Sequence, residues 1–557
     1  MHPSPRLPDG VLPAAEAPDP RGTVGNGDTA VVADYTEAVF RRSREPMPPL
    51  GFEVDWDDQP SRHKTYPGAT RLPLPRGLAA GPAAVLLDAG ATGPGGGWDR
   101  GRLASLLRLS YGVLGRRMAV NWNQDAEKRA HYPAAAWSRG TASGGGMYPL
   151  ELYVVSGTGG PLLPGVYHYA TAHHELERLL TGDVTGRVAS ALGADDTGLY
   201  VLAAVRFWKN SFKYNSFCYH VVTQDAGALA GSWDVLTRSL GERTSRALWF
   251  DERALDDLLG LDGMTESVLA VLPLTCSAPA PGAAADPGPR PVAVAHERSE
   301  RLLRFPTVDL VHAAALVGDT PRPPAGTHRA ARPRPAAELG AEVALPAPST
   351  GPFAGDLAGV LASRRSSFGG FTATPLALDR LATLLAAAST GGATGSDVKP
   401  AGERLTRLFV LANRVDGLEP GGYAYDPDGH ALRRRPTPAE PLGELLQRHY
   451  LLTNYNTEQA AAVVAITGRL APMLAAFGNR GYRVLNSEVG AVSQTCYLAA
   501  AALGVGCGAV LGLDNIALDD LLGVGPEHGS DERTLLFLLV GPERTDPADI
   551  VLTLDSA

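Results

Sequence analysis

The sequence predicts an α+β fold made of two related halves. Its length of 557 residues is too great for one hydrophobic core. Segments also recur at nearly constant spacing: "DERALDDLLGL" (251–261) returns 263 positions later as "DNIALDDLLGV" (514–524). "PLLPGVYHYATAHHELERL" (161–179) returns 256 positions later, at 417–435. Because these spacings differ only by small insertions, we expect a tandem duplication whose halves pair as a pseudo-dimer within one chain.

The individual elements follow from their apolar patterns. "LDRLATLLAAA" has apolar residues spaced by three and four, which predicts an amphipathic helix. "ELYVV" and "RLFVLA" are short β-branched and aromatic runs typical of strands, and "TLLFLLVG" predicts a buried strand. "SEVGAVSQTCYLAAAALG" predicts a mostly apolar helix that ends at Gly504. Polar residues and glycines interrupt the longest apolar run (489–513), so it predicts a buried helix leading into a strand and not a membrane span.

Composition sets the domain boundaries. Residues 1–30 are rich in Pro, Gly and Asp and are predicted to be disordered. A first domain is expected over 31–276 and a second over 351–557. Between them, residues 277–350 form a Pro/Ala-rich linker with one short apolar segment, "RLLRFPTVDLVHAAALVG", that is expected to pack against a neighbouring domain.

Charge and cysteine content narrow the class of protein. The net charge is −9 and the 50 basic residues are dispersed, which argues against a nucleic-acid surface. The four cysteines show no C-x-x-C spacing, as expected of reduced, buried thiols in a cytosolic protein. The N-terminus has no apolar segment typical of a secretory signal. We therefore expect a cytoplasmic protein without nucleic-acid or membrane partners, and no metal site is predicted.

Two motifs occur only in the second half. In "LASRRSSFGGF" (361–371), two guanidinium groups and a hydroxyl suit phosphate oxygens, from Arg364, Arg365 and Ser366. In "GVGCGAVLG" (504–512), small residues allow a flat ligand to approach the backbone, at Gly506, Cys507 and Gly508. The first half has "LLD" (86–88) and "RTS" (243–245) at these places. Taken alone, the motifs also fit a solvated helix end and a plain helix-to-strand turn.

Two further motifs occur only in the first half. "RGTASGGGMYPLELYVV" (139–155) contains a small-residue loop that can lie against a ligand, with Ser143, Gly144 and Gly145. "SFKYNSFCYH" (211–220) contains Lys213 and Tyr214, where an amine and a phenol can exchange protons. The second half has "KPAGERL" (399–405) and "AF" (476–477) instead. A flexible surface loop and a surface lysine beside a half-buried tyrosine are the alternatives.

Each half has therefore kept what the other has lost. Two independent sites would not produce this pattern, whereas one composite site between the halves would. The sequence predicts that site to combine a phosphate grip and a glycine strand from the second half with a loop and an acid–base pair from the first.

At these residues the chain resembles the nitroreductase-like flavoproteins, specifically the SagB/McbC-type azoline dehydrogenases. The resemblance covers roughly residues 35–555 and is carried by "FEVDWDDQPSRHKTYPGATRLPLP", "SGGGMYPLELYVV", "LPGVYHY", the "KY" pair, "RGYR" and "GVGCGAV" before "LDDLLG". It implies two tandem FMN-dependent domains with FMN at their interface. The R-R-S segment would hold the FMN phosphate, the glycine strand and the S-x-G loop would contact the flavin, and Lys213 and Tyr214 would be catalytic.

The chain departs from this family at the phosphate segment. Phe368 stands where a further arginine often occurs, so the resemblance directs attention to other cations of the second half: Arg480, Arg483 and Arg544. The first half has Phe217 and His220 at the first two of these positions, which favours one FMN per chain.

The implied activity is oxidation of thiazolines or oxazolines in a ribosomally made peptide to azoles, in a thiopeptide-like pathway. Tyr214, assisted by Lys213, would remove a ring proton, and a cyclodehydratase is an expected partner. Three alternatives stay open: an NAD(P)H-dependent nitro or quinone reductase, a thiazoline oxidase for nonribosomal peptides, and a non-catalytic scaffold of a cyclodehydratase complex. Further association of the fused chain also stays open.

Overall fold

The computed structural model describes residues 11–93, 95–118, 136–276, 293–334, 340–367, 370–436, 440–544 and 550–553. Phe368 and residues 1–10 lie outside these ranges. None of the helices in the described part of the chain combines the length and apolarity needed to span a membrane.

Thirteen α-helices form over the described ranges. They are α1 (Ala30–Arg41), α2 (Arg100–Tyr111), α3 (Thr185–Leu192), α4 (Phe207–Tyr214), α5 (Cys218–Ser239), α6 (Glu252–Leu259), α7 (Pro306–Ala314), α8 (Leu357–Ser363), α9 (Leu378–Gly392), α10 (Leu442–Arg448), α11 (Leu470–Phe477), α12 (Arg480–Leu503) and α13 (Asn515–Leu522).

Eighteen strands form over the same ranges. They are β1 (Leu12–Pro13), β2 (Thr70–Pro73), β3 (Gly115–Met118), β4 (Ala136–Ser138), β5 (Leu150–Ser156), β6 (Gly165–Ala170), β7 (Glu175–Thr181), β8 (Gly198–Arg206), β9 (Glu266–Thr275), β10 (Leu303–Arg304), β11 (Glu342–Ala344), β12 (Thr406–Ala412), β13 (Gly421–Asp426), β14 (Ala431–Arg434), β15 (Ala462–Arg469), β16 (Gly506–Val510), β17 (Glu532–Gly541) and β18 (Ile550–Thr553).

Each half is built on one antiparallel sheet. The first half has strand order β2-β7-β6-β5-β8-β9, and the second has β11-β14-β13-β12-β15-β17-β16. Central strands such as β5 and β12 are buried along their whole length, which explains their mostly apolar sequences. The predicted α+β class with two tandem halves is confirmed.

The long helices α5 and α12 form the contact between the halves. Their backbones approach so closely that a Cβ on Gly227 would lie 2.4 Å from the Ser487 carbonyl oxygen. A Cβ on Gly490 would lie 2.1 Å from the Gln224 carbonyl oxygen. Only glycine fits at these two crossings. The pseudo-dimer interface is therefore a helix pair packed backbone against backbone.

The duplication extends to single hydrogen bonds. Tyr169 bonds Nδ1 of His174 at 2.8 Å, and Tyr425 bonds Nδ1 of His430 at 2.9 Å. Both histidines have a left-handed backbone, with φ of 56° and 45°. Such a shared departure from ordinary geometry is what two copies of one ancestral turn should retain.

The chain termini join the halves to each other. At one end, β18 pairs with β3 of the first half, so the C-terminal strand of the second half completes a three-stranded sheet there. At the other, the expected disorder does not extend to residues 11–29. Here β1 pairs with β10, Val11 is buried, and the Asn26 side chain donates to the Phe477 carbonyl. These long-range partners, absent from any local pattern, order the segment.

Candidate active site between the two halves

The small-residue loop of the first half lies directly against the Lys213–Tyr214 pair. Gly145 has φ of +60°, and a Cβ there would stand 2.3 Å from the Tyr214 hydroxyl oxygen and 3.0 Å from Lys213 Nζ. Backbone conformation and available space therefore both require glycine at this position. The structure brings together the two motifs that are kept only in the first half.

Asp225, a residue that the sequence analysis did not single out, holds this loop from α5. Its carboxylate accepts hydrogen bonds from the Ser143 hydroxyl at 2.6 Å and from the Gly144 backbone N–H at 2.8 Å. The Ser143 hydroxyl in turn accepts one from the Tyr148 N–H. Burial raises the pKa of Asp225 to about 7, although both hydrogen bonds favour the ionised form. The loop is thus fixed by a carboxyl that titrates near neutrality.

Burial shifts the pKa values of the Lys213 amine and the Tyr214 phenol in opposite directions. It lowers the pKa of Lys213, because a half-buried ammonium loses hydration. It raises the pKa of Tyr214, and the charges of Asp225 and of an ionised Tyr455 add to this increase. Burial therefore favours loss of the proton from Lys213 and opposes its loss from Tyr214. This order differs from the expectation that Tyr214 removes the proton.

The phosphate motif follows α8 of the second half and also touches the first half. Arg364 is buried, and its Nη2 donates to the Arg139 carbonyl at 3.1 Å. Its Nη1 and the Ser367 hydroxyl are buried without hydrogen-bond partners among the described residues. Arg365 forms an ion pair with Glu543 at 3.0 Å. A buried cation with an unused donor favours an anionic ligand, so these residues fit a phosphate group.

Arg117 adds a third guanidinium from the first half. It extends from β3 and donates to carbonyls at the end of α8, including that of Arg364 at 2.9 Å. Burial, together with the charges of Arg364 and Arg365, lowers the pKa of Arg117 to about 10. Three guanidinium groups thus lie near one another with one carboxylate, Glu543, paired among them. This cluster, which combines both halves, strengthens the fit to a dianionic phosphate.

The glycine strand β16 packs against the phosphate motif itself. Ser367 N–H donates to the Cys507 carbonyl at 2.8 Å. A Cβ on Gly508 would lie 2.3 Å from the Ser367 carbonyl oxygen, and one on Gly506 would lie 2.8 Å from its hydroxyl. These glycines are therefore needed for contact with residue 367, whether or not a ligand also approaches. The Cys507 side chain is buried, and burial raises its pKa.

Two side chains of α12, Tyr497 and Gln494, connect the phosphate motif to the first-half loop. Tyr497, on α12, accepts hydrogen bonds from the Ser366 hydroxyl at 3.2 Å and from the Ala509 N–H at 2.6 Å. Gln494, one turn earlier, bonds both the Gly140 carbonyl and the Ala142 N–H of the first-half loop, each at 3.0 Å. Helix α12 therefore holds the phosphate motif and the loop side by side.

Two of the expected phosphate ligands do not reach this site. Arg480 and Arg483 are buried at the start of α12 and form ion pairs with Glu252. Arg480 is 17 residues before Tyr497, about 25 Å along the helix at 1.5 Å per residue. These arginines join α12 to α6, so assigning them to the phosphate is wrong. Arg544 follows Glu543 directly, is exposed, and stays a candidate.

Comparisons with known proteins agree with this architecture. The model of the nitroreductase family matches residues 361–541. The nitroreductase-type protein MJ1384 of Methanocaldococcus jannaschii is 32% identical over 148 residues, 26% of this chain and 72% of that protein.

Two solved structures are also similar. A nitroreductase-type chain from Anabaena variabilis superposes with a TM-score of 0.68 at 23% identity, covering 92% of this chain and 99% of its own. Both halves thus recur together in one fold. A chain of the E. coli microcin synthetase McbBCD complex, solved with truncated pro-MccB17 bound, matches 45% of this chain and 94% of its own at 16% identity. Its TM-score is 0.26.

Proposed function

This chain belongs to the nitroreductase family, and from that premise we propose that it is an FMN-dependent oxidoreductase with one composite site per chain. Its proposed substrates are thiazolines or oxazolines in a ribosomally made peptide, which it oxidises to azoles. The observation that carries the proposal is the contact of Lys213 and Tyr214 with Gly145 of the 143–145 loop. Dehydrogenation of a ring requires removal of a proton, and this pair supplies groups suited to that step.

The residues at the interface fit FMN. Arg364, Arg365, Ser366 and Arg117 would hold its phosphate, with Arg544 as a further candidate, and the 143–145 loop and 506–508 strand would flank the ring system. The unused donor of buried Arg364 is the observation that favours this assignment. When bound, FMN supplies the two-electron redox chemistry of the reaction.

The proton roles follow from the shifted pKa values. Lys213, whose pKa is lowered by burial, acts as the base that takes the proton from the substrate ring. Tyr214, whose pKa is raised, stays protonated and donates a hydrogen bond to the substrate. Both groups lie against Gly145, so a substrate ring at the edge of this contact would be close to both of them. Asp225 maintains the position of that loop.

The first test separates this function from the reductase activity that the family name suggests. Purified, FMN-loaded protein is mixed without oxygen with either a thiazoline-containing peptide or NAD(P)H, and the visible flavin absorbance is followed. We expect the peptide to bleach the flavin and to appear as the thiazole, two mass units lighter, because two hydrogens leave the ring. Bleaching by NAD(P)H alone, with rapid reduction of a nitro or quinone compound, would assign the protein to the reductases.

A further inference from the structure

One connection in the second half is much longer than its counterpart. In the first half, five residues (193–197) join α3 to β8. In the second half, thirteen residues (449–461) join α10 to β15. Together with α10 being one residue shorter than α3, this difference accounts for the change in repeat spacing from 256 to 263 between these points of the sequence. Residues 449–461 are called the inserted loop below.

Internal contacts hold the inserted loop in a defined conformation. Tyr450 and Tyr455 stack at 5.6 Å between ring centroids, and the Tyr450 hydroxyl donates to Asn454 at 2.6 Å. The Gln447 side chain accepts hydrogen bonds from the Thr457 N–H and hydroxyl. These contacts brace the loop from within, so its exposed side chains are presented from a defined backbone.

The loop lies beside the Lys213–Tyr214 pair of the other half. Leu451 N–H donates to the Gly512 carbonyl at 2.8 Å, just beyond strand β16. Arg42 donates to the neighbouring Leu511 carbonyl and also lies over the Phe217 ring, 4.8 Å from its centroid. Phe217 in turn lies 6.4 Å from the Tyr214 ring. Tyr455 is near enough for its charge to act on Tyr214.

Two adjacent leucines of this loop face solvent. Leu451 is 45% exposed and Leu452 is 55% exposed, whereas leucines elsewhere in the described chain are mostly buried. A braced loop that presents adjacent apolar side chains beside a reaction site gains stability when an apolar group covers them. The first half has no room for such a surface, because its connection is only five residues long.

We propose that the inserted loop is a substrate-binding element, and that Leu451 and Leu452 take up an apolar side chain flanking the reacting ring of the peptide. This inference rests on the proposed function and adds a preference to it. The enzyme should favour azolines whose neighbouring residues are leucine-like over those with small polar neighbours. Removing the contact should weaken binding of the apolar substrate without affecting proton transfer at Lys213.

The test uses the FMN-loaded, full-length protein and two synthetic peptides. They are identical except that the residues on both sides of one thiazoline are leucine in the first and serine in the second. We expect kcat/KM for the leucine peptide to be about tenfold higher, a usual size for apolar discrimination in a binding site. In a Leu451→Ser/Leu452→Ser protein, the preference should fall to about twofold, mainly through KM. Calorimetric Kd values for the two peptides should change in parallel.

Leu163→Ser is the matched control, because Leu163 is 68% exposed but belongs to the β5–β6 connection. It should keep the full preference. Equal kcat/KM for both peptides in the unaltered protein would overturn the inference, as would a preference that survives the double substitution. If neither peptide is oxidised by FMN-loaded protein, the proposed function itself fails and the inference falls with it. Oxidation of both peptides without preference removes the inference alone.

Discussion

The two halves place different pairs at one equivalent position in the fold. In the first half, Asp225 accepts a hydrogen bond from Ser143, and the adjacent loop lies against Lys213 and Tyr214. In the second half the corresponding residues are Glu488 and Lys399, which form a buried ion pair at 2.7 Å. A buried lysine–glutamate ion pair thus replaces a serine–aspartate hydrogen bond. The second copy of a duplicated site can therefore lose its catalytic groups and still keep a buried polar pair at the same place in the fold.

Replacing Lys213 tests the first half, which carries the acid–base pair, and should give the largest effect on turnover. Lys213→Ala should lower turnover of an azoline peptide about 10²- to 10⁴-fold, because the base is removed. FMN content should stay the same. The matched control is Ala476→Lys, which restores a lysine at the equivalent place in the second half and should leave turnover unchanged. Activity within twofold of normal in Lys213→Ala would contradict the proposed role.

Replacing Lys399 tests the second half, which lacks the acid–base pair. Lys399→Met leaves Glu488 buried without its partner, so the free energy of unfolding should fall by about 3–5 kcal/mol. Urea unfolding provides the measurement. Turnover at a temperature where the protein is folded should not change. Ser143→Ala, at the equivalent position, should do the reverse: a loss of activity with a stability change of only about 1 kcal/mol.

Replacing Arg364 tests the phosphate assignment. Arg364→Ala should weaken FMN binding about 10- to 100-fold, since a hydrogen bond to a charged group contributes about 1.5–3 kcal/mol. Fluorescence titration with FMN measures the Kd. Arg243→Ala serves as the control, because Arg243 occupies the place of Gly506 in the first half and is predicted not to contact FMN. An unchanged Kd in Arg364→Ala would remove this residue from the site.

A smaller effect is expected from the titration of Asp225. Its pKa of about 7 in the folded protein is above the value of about 3.9 for an unfolded aspartate. The folded protein therefore binds the proton more tightly, and the contribution of Asp225 to stability falls as pH rises from about 4 to about 7. Between pH 5 and pH 8, Asp225→Asn should remove about 2–3 kcal/mol of this pH dependence. The free energy of unfolding of both proteins is measured at pH 5 and at pH 8. The same change with pH in both proteins would show that Asp225 does not titrate in this range.

Local and repeated patterns were enough to predict much of this molecule. The helix ending at Gly504 and the two sheets follow from periodicity, and the repeat spacing predicted which half would carry each motif. The same spacing also aligns Asp225 with Glu488, so the carboxylate beneath the loop could have been found by extending the comparison along α5. Asp225 and Glu488 differ little in residue type, so the informative difference lies in their partners, which are serine in the first half and lysine in the second.

Long-range pairing explains what the sequence did not predict. Arg117 belongs to no repeated motif, and its place at the phosphate cluster depends on the pairing of β3 with β4 and with the C-terminal strand β18. Arg480 and Arg483 looked suitable because they are cations near a family motif. They start a helix whose far end reaches the site, and a glutamate of the first half holds them there. Charge type alone could not distinguish an ion pair between halves from a ligand contact.

The number of FMN molecules bound per chain tests the composite site most directly. Absorbance of the cofactor released from denatured, fully reconstituted protein gives this ratio. We predict one FMN per chain, because the arginine cluster and the loop each occur once and meet at one interface. A ratio of two would mean that the first half binds a second flavin through other residues and would contradict the account. Absence of FMN after reconstitution would favour the non-catalytic scaffold instead.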